Sequence, residues 1–381
     1  MQSLSNLKLC FLAGTLGHGG AERQLYYILQ ALCQAGANPR LLSLDQGGFW
    51  EPRIKDLGVR VIHVGAPSRW QRLVRILKEL RKDRPDILQS QHFYTNAYVG
   101  VAASLLQLSG IGAMRNDGTS EVNGTGRIGG WMSLHLPATL AANSQPAIQY
   151  ATANGVPASR LYFLPNVVDS ERFQPVPPRL DGPLTLIAVG RLVKQKRLDR
   201  FISIVARLQA DHGLDVRGLI VGSGSRAENL RPQLEHQAGR LGLLPDTIQF
   251  RGGVPDMRSV YHEAGVCVLT SDFEGTPNVL LEAMASGVPV VASQVGGVSD
   301  IVRHGQTGFL IAPDDLDGFV AAVVELAKNT RLRTEMGQRA RAFVEEHHGM
   351  QRLPAYLKNL YQRVLQTSWQ ETAKVVSGTS S

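Results

Sequence analysis

Two carboxylates, Glu274 and Glu282, stand eight positions apart in the run Ser271-Asp272-Phe273-Glu274-Gly275-Thr276-Pro277-Asn278-Val279-Leu280-Leu281-Glu282-Ala283-Met284-Ala285-Ser286-Gly287. The run reads as strand end, polar loop, helix and turn. Thr276 is placed as an N-cap and Pro277 as the first helical residue. Gly287 is placed as the left-handed residue that closes the helix. Glu274 then falls in the loop. Glu282 falls inside the helix and shares a face with Asn278, four residues earlier. A helix N-terminus attracts anions, and a carboxylate a turn further in accepts hydrogen bonds from hydroxyls. A phosphate beside a polyhydroxy group is the chemistry of a sugar nucleotide.

Arg191 and Lys196 are candidates for fixed cations. Both follow residues 184–189, an apolar segment that reads as a strand. In open α/β sheets, ligands bind beyond the C-terminal ends of strands. Cleavage between an anomeric carbon and a diphosphate builds negative charge on the leaving group, which cations and helix N-termini stabilise. Taken alone, residues 191–197 read equally well as a solvated basic loop. Gly17-His18-Gly19-Gly20 follows the strand expected at 8–13 and opens a helix, where glycine lets a backbone approach a ligand closely. A plain strand-to-helix turn is the competing reading. Val221-Gly222-Ser223-Gly224-Ser225 also follows a strand. The full dinucleotide fingerprint is absent because position 227 is Ala227.

These groups need elements to hold them, and strands and helices alternate throughout. That pattern predicts α/β domains with parallel sheets covered by helices on both faces. Strands are expected at 8–13, 40–44, 59–64, 86–90, near Ala113, and at 184–189, 216–221, 248–250 and 266–270. Helices are expected at 20–35, 69–84, 96–107, 198–212, 227–241, 259–264, 314–348 and 352–366. Residues 116–130 hold five glycines and read as a mobile loop. Residues 173–183 hold four prolines and read as an interdomain linker. The expected domains are 1–172 and 173–350, with 351–381 as a terminal helix and a frayed tail ending at 378–381.

At 381 residues, two domains are the default. A hydrophobic content of 43% and a charged content of 19% suit a soluble globular protein. No apolar run approaches the ~20 residues of a membrane helix. Residues 7–13 are too short for a signal peptide and read as a core strand. Cys10, Cys33 and Cys267 lie far apart in apolar segments, which predicts free thiols and no metal pattern. A cytoplasmic protein is expected, so Asn123-Gly124-Thr125 reads as a chance glycosylation pattern.

The net charge is +8, partly concentrated in Arg69, Arg72, Arg75, Lys78, Arg81, Lys82 and Arg84. Trp70, Leu73, Val74, Ile76, Leu77 and Leu80 are interleaved at helical spacing. One reading of residues 69–84 is docking on an anionic membrane surface. The other, commoner one is a helix packed on a sheet with its basic face solvated. Nothing resembles a nucleic-acid recognition motif or stacking platform.

The carboxylate run resembles the E-x7-E signature of the large retaining glycosyltransferase family four, of the GT-B fold. Further stretches fit in the family's order: Gly17-His18-Gly19-Gly20-Ala21-Glu22-Arg23, Ala142-Asn143-Ser144, Leu164-Pro165-Asn166-Val167-Val168-Asp169, Val189-Gly190-Arg191-Leu192-Val193-Lys194-Gln195-Lys196, Gly296-Gly297 and Gly305-Gln306-Thr307-Gly308-Phe309-Leu310. The resemblance implies GT-B architecture, two Rossmann-like parallel-sheet domains facing a central cleft. Donor binding is implied for the second domain and acceptor binding for the first, to which a terminal helix returns. The implied reaction moves a hexosyl group from a nucleoside-diphosphate sugar to a hydroxyl of a glycan or glycolipid, with retention. A UDP-sugar is favoured on family frequency, and polysaccharide or lipopolysaccharide assembly is the natural setting. Peripheral attachment to the inner face of the cell membrane would suit a lipid-linked acceptor.

The resemblance also distributes roles. It puts Arg191 and Lys196 on the diphosphate, Glu282 on the ribose hydroxyls and Glu274 near the donor sugar. Gly19, Gly20, Gly222, Gly275, Thr276, Asn278 and Val279 complete the donor set. The sugar nucleotide is a co-substrate, and no cofactor or metal is expected, because the Arg–Lys pair can replace one. The chain departs from the family where many members carry a first-domain histidine. Here Met114-Arg115-Asn116-Asp117-Gly118 has none, and Gln89 and Gln91 stand where relatives often show His. His92, Arg115, Asn116 and Asp117 are the acceptor-side candidates, and no general base is named. In a retaining reaction the leaving phosphate can take the acceptor's proton. The alternatives are an epimerase or phosphorylase on the same fold, or a non-catalytic sugar-nucleotide-binding partner. Retention of Glu274, Glu282, Arg191 and Lys196 argues against the last.

Overall fold

A computed structural model describes residues 4–177, 182–225 and 227–376, with side chains described up to 366. The expected frayed tail and the middle of the proline-rich run, 178–181, lie outside the described residues. The chain divides into two compact units: unit 1 is Met1–Val167 with Met350–Ser381, and unit 2 is Val168–Gly349.

Unit 1 begins with β1 (Leu9–Ala13), α1 (Gly20–Gln34), β2 (Arg40–Ser43), α2 (Glu51–Asp56), β3 (Arg60–His63), α3 (Arg69–Lys82) and β4 (Ile87–Ser90). It continues with α4 (Asn96–Leu106), β5 (Ser109–Met114), α5 (Thr119–Thr125), α6 (Arg127–His135), β6 (Thr139–Ala142), α7 (Gln145–Ala153) and β7 (Leu161–Phe163). Unit 2 runs β8 (Leu184–Val189), α8 (Leu198–Ala210), β9 (Val216–Val221), α9 (Arg231–Arg240), β10 (Ile248–Gly252), α10 (Arg258–Glu263) and β11 (Val266–Leu269). It ends with α11 (Asn278–Ala285), β12 (Val290–Ser293), α12 (Val298–Ile301), β13 (Gly308–Ile311), α13 (Leu316–Lys328) and α14 (Thr330–His347). Helix α15 (Leu353–Val376) then belongs to unit 1, where Leu357, Leu360 and Tyr361 join the core that holds Phe11 and Ile87.

Among the described residues, the strands of each unit form one parallel sheet. Their orders are β3-β2-β1-β4-β5-β6-β7 and β10-β9-β8-β11-β12-β13. Strands β1, β4 and β12 are buried along their whole length, as strands covered on both faces are, and β1 is apolar throughout. Each sheet reverses its strand order once, between β1 and β4 and between β8 and β11. Beyond the C-terminal ends of such strands, diverging loops leave a crevice.

Several expectations shift. Residues 116–130 form two helices, α5 and α6, instead of a loop. Gly130 is there for packing, since a Cβ on it would lie 2.6 Å from Val122 Cγ1. The helix expected to open at Pro277 opens at Asn278, with Pro277 extended at φ −73° and ψ 114°, so Thr276 belongs to the loop. Its end is as expected. Gly287 has φ +72°, its N–H bonds the Met284 carbonyl, and the Val288 N–H bonds that of Ala283, a Schellman closure. The helix expected over 314–348 is broken at Asn329, whose side chain accepts the Leu332 N–H and starts α14. Elements α2, β6, α7, β7, α12 and β13 were not anticipated. The proline-rich run does not mark the division between units, which falls at Val167–Val168. Phe173 is instead buried in unit 2, edge-on to Tyr261.

The basic helix α3 opens with a reciprocal cap between Ser68 and Gln71. Its inner residues Ile76, Leu77 and Leu80 pack on Cys10, Leu12 and Leu42. Trp70, Val74, Arg75, Lys78, Arg81 and Lys82 are exposed. No described helix is long and apolar enough to cross a membrane. All three cysteines are free thiols. Burial pushes Cys10 in β1 and Cys267 in β11 up to about 12.

Candidate active site

In unit 2 the loops after β8 and β11 meet at the sheet's reversal point and are stitched together. The Asp272 N–H donates to the Gln195 carbonyl at 2.9 Å, and Gln195 Nε2 donates to the Phe273 carbonyl at 2.7 Å. Thr270 Oγ1 bonds the carbonyls of Lys196 and Arg197 at 3.0 and 2.9 Å. Arg197 has a left-handed backbone, φ +46°, and its guanidinium pairs with Asp199 and Asp272.

This stitching brings two of the predicted residues into contact. Lys196 Nζ lies 2.5 Å from Glu274 Oε1, which also accepts from Ser271 Oγ at 2.6 Å. Both charged side chains are nearly buried, with 14% and 9% of their surface exposed. Arg191 sits in the same loop as Lys196 but is exposed, and it has no ion-pair partner among the described residues. The two cations thus differ in kind. One is committed to a carboxylate, and the other is exposed.

Glu282 is buried in α11, where its Oε2 accepts from Tyr261 Oη at 2.9 Å. Gly275 and Thr276 are buried in the turn that enters α11, while Asn278 and Val279 are half-buried at its first turn. Two glycines set the floor. A Cβ on Gly222, φ +141°, would lie 1.9 Å from the Gly190 carbonyl oxygen. One on Gly296, φ +46°, would lie 1.8 Å from that of Glu274. Only glycine permits either approach.

In unit 1 the candidates also gather at the C-terminal edge of the sheet. Gly19 is the extended N-cap of α1 and Gly20 its first residue. His92 Nδ1 accepts the Gly14 N–H at 3.1 Å, and its Nε2 lies 3.3 Å from Glu22 Oε1. That pattern places the proton on Nε2 and commits both ring nitrogens. Asn116 and Asp117 shape the turn into α5: Asn116 Oδ1 accepts the Asp117 N–H, and Asp117 Oδ1 accepts from Ser120. Burial lowers Arg115 to about 10.

Sequence reasoning missed the partners of these groups. Glu22 was legible only as part of the glycine-rich stretch, and it holds His92 from 70 residues away. Glu121, in the stretch expected as a loop, accepts the Arg115 N–H at 2.8 Å, and burial raises its carboxyl to about 7. No cluster of three or more His, Cys, Asp or Glu that could hold a metal ion occurs among the described residues.

Residues 18–172 match the family model described as Glycosyltransferase Family 4, and residues 183–329 match that described as Glycosyl transferases group 1. The GDP-mannose-dependent alpha-(1-6)-phosphatidylinositol monomannoside mannosyltransferase of Mycobacterium tuberculosis is 33% identical over 215 residues, covering 51% of this chain and 54% of that one. The lipopolysaccharide core biosynthesis glycosyltransferase LpsE of Rhizobium meliloti is 25% identical over 332 residues, covering 84% and 89%. The chain spans about half the length of several curated relatives it matches, the mycobacterial one included. Anabaena HepE, solved with UDP and glucose, superimposes with a TM-score of 0.83 at 17% identity, over 94% of this chain and 100% of that one. The fold is GT-B, built from two Rossmann-like parallel-sheet domains. These matches place the chain among the GT-B glycosyltransferases.

Proposed function

We propose that this protein transfers a hexosyl group from a nucleoside-diphosphate sugar to a hydroxyl of a glycan or lipid-linked acceptor, with retention at the anomeric carbon. The observation that carries the reading is the contact between Lys196 and Glu274 at the reversal point of the unit 2 sheet, with the exposed Arg191 in the same loop as Lys196. Arg191 and Lys196 neutralise the diphosphate as the glycosidic bond breaks, which is stabilisation delivered where charge develops. They serve in place of a metal ion, so activity survives chelation. Glu282, held by Tyr261, accepts from the ribose hydroxyls. Glu274 faces the donor sugar, and its partner Lys196 holds it in place. With both nitrogens of His92 engaged, the departing phosphate is the better acceptor for the incoming hydroxyl's proton.

A UDP-sugar is the first donor to test. GDP-mannose is the second, because the mycobacterial relative is GDP-mannose-dependent. We place the protein on the inner face of the cell membrane, docked through the exposed cations and Trp70 of α3.

The test is thermal stabilisation by a panel of UDP- and GDP-sugars, with Glu282→Gln and the exposed-site variant Arg191→Ala in parallel. One sugar nucleotide should stabilise the wild type selectively, and both variants should respond less. If no nucleotide shifts the melting temperature, the donor site is wrongly assigned.

A further inference from the structure

At the reversal point of the unit 1 sheet, an aromatic ring lies over a glycine. Tyr94 follows β4, and a Cβ placed on Gly14, just after β1, would lie 1.9 Å from its phenolic oxygen. The ring also stacks on His92, with centroids 5.2 Å apart and planes inclined by 25°. His92 is itself held by the Gly14 N–H and by Glu22. Tyr94 is therefore fixed by His92 stacked beneath it and by Gly14 at its phenolic end. It is nevertheless 46% exposed. Asp45, after β2, reaches the same edge: its N–H bonds the Gly14 carbonyl at 3.1 Å. Its side chain is exposed and has no ion-pair partner among the described residues. Desolvation, with Glu22 and Asp45 nearby, raises the Tyr94 phenol and keeps it neutral.

An ordered aromatic left open beside a carboxylate, at a sheet's ligand-binding edge, suits one kind of guest. The C–H face of a pyranose is apolar and weakly positive, and it complements the negative face of an aromatic ring. The hydroxyls at the sugar's edge donate well to an ionised carboxylate. A large apolar surface with a few placed polar groups is how small-molecule sites obtain both affinity and orientation.

We propose that Tyr94 is the platform of an acceptor subsite, on which a pyranose ring stacks while a hydroxyl donates to Asp45. The proposal rests on the glycosyltransferase reading above and narrows it. The acceptor presents a sugar ring to unit 1, not a bare lipid alcohol. Tyr94 acts through its ring and not its hydroxyl. Glu22 and His92 are positioning residues beneath it.

The experiment is saturation-transfer NMR on the full chain, using methyl α-mannopyranoside, methyl α-glucopyranoside and methyl β-galactopyranoside as probes. Saturation should reach the C–H protons of one ring face of at least one probe, in the wild type and in Tyr94→Phe. Tyr94→Ala should weaken that binding about tenfold, the loss expected for one stacked ring, and Asp45→Asn should weaken it less. Absence of transfer to all three probes in the wild type, or unchanged binding in Tyr94→Ala, overturns the proposal. Nucleotide stabilisation measured on the same samples separates the two readings. If Tyr94→Ala loses it, the ring belongs to the donor side and the acceptor subsite is wrong. If the wild type ignores every nucleotide while sugar binding still depends on Tyr94, the glycosyltransferase reading falls and the subsite stands.

Discussion

Replacing Lys196 by methionine removes one partner of a nearly buried ion pair and keeps most of the side chain's bulk. Glu274 would then retain Ser271 as its hydrogen-bond donor but lose the cation 2.5 Å away. Breaking a fully buried pair from one side costs about 3–5 kcal/mol. Here 14% and 9% of the two side chains remain exposed, so some water reaches the orphaned carboxylate and about 2–3 kcal/mol is the expected loss. For a domain of roughly 150–250 residues, the class of Val168–Gly349, each kcal/mol moves the melting temperature by about 2–4 °C. The unit 2 transition should therefore fall by roughly 4–12 °C. Glu274→Gln strands the lysine instead and should cost somewhat less, because a long ammonium stem can turn toward solvent. The double variant, Lys196→Met with Glu274→Gln, leaves no uncompensated charge. It should be more stable than the sum of the two losses predicts. The assay is chemical denaturation of all four proteins at neutral pH, read as a double-mutant cycle. Strict additivity, with Lys196→Met losing less than about 0.5 kcal/mol, would falsify the idea that this pair organises the loops after β8 and β11.

Other consequences are checked as readily. Gly296→Ala forces a Cβ against the Glu274 carbonyl at a positive φ, so it should destabilise unit 2 by more than about 1 kcal/mol and abolish nucleotide stabilisation, both seen in one melting series. Burial holds the Glu121 carboxyl at about 7 in the folded state, above its ordinary 4.5. Its contribution to stability is therefore fully present below pH 4.5 and is lost as pH rises through 7. Glu121→Gln should match the wild type most closely near pH 4.5 and gain on it toward pH 8, read by denaturant titration at several pH values. Lys78→Glu with Arg81→Glu reverses two exposed charges on α3 and should release the protein from anionic liposomes at low salt without changing its melting temperature. Equal retention of wild type and variant on those vesicles would leave α3 as an ordinary solvated helix.

Much of the unit 2 site could be read from the chain because its signals are local. Gly287 closes a helix in the left-handed conformation that the sequence predicts there. Arg191 and Lys196 follow a strand whose apolar run requires burial on both faces. What periodicity could not supply was the pairing of Lys196 with Glu274, 78 residues apart, which depends on β8 and β11 being neighbours. The unit 1 cluster was harder for the same reason. Glu22, Gly14, His92 and Tyr94 come from three segments that only the β1–β4 pairing unites. Composition misled in two places. Glycines between 116 and 130 suggested a loop, yet at Gly130 the absence of a side chain is what lets α5 lie against α6. Prolines between 173 and 183 suggested an interdomain linker, yet Phe173 anchors the start of that run in the unit 2 core.

The cysteines give each half of the molecule its own clock. Cys10 lies in the central region of the unit 1 sheet and Cys267 in that of unit 2, each buried and with its thiol pushed up to about 12. Neither can form the reactive thiolate until its own strand is exposed to solvent. Cys33, half-buried on α1, is the most accessible of the three. Once Cys33 is blocked, the rates at which the other two are alkylated under native conditions report the opening of each unit separately. A sugar nucleotide bound wholly within unit 2 would slow the clock at Cys267 and leave the one at Cys10 running.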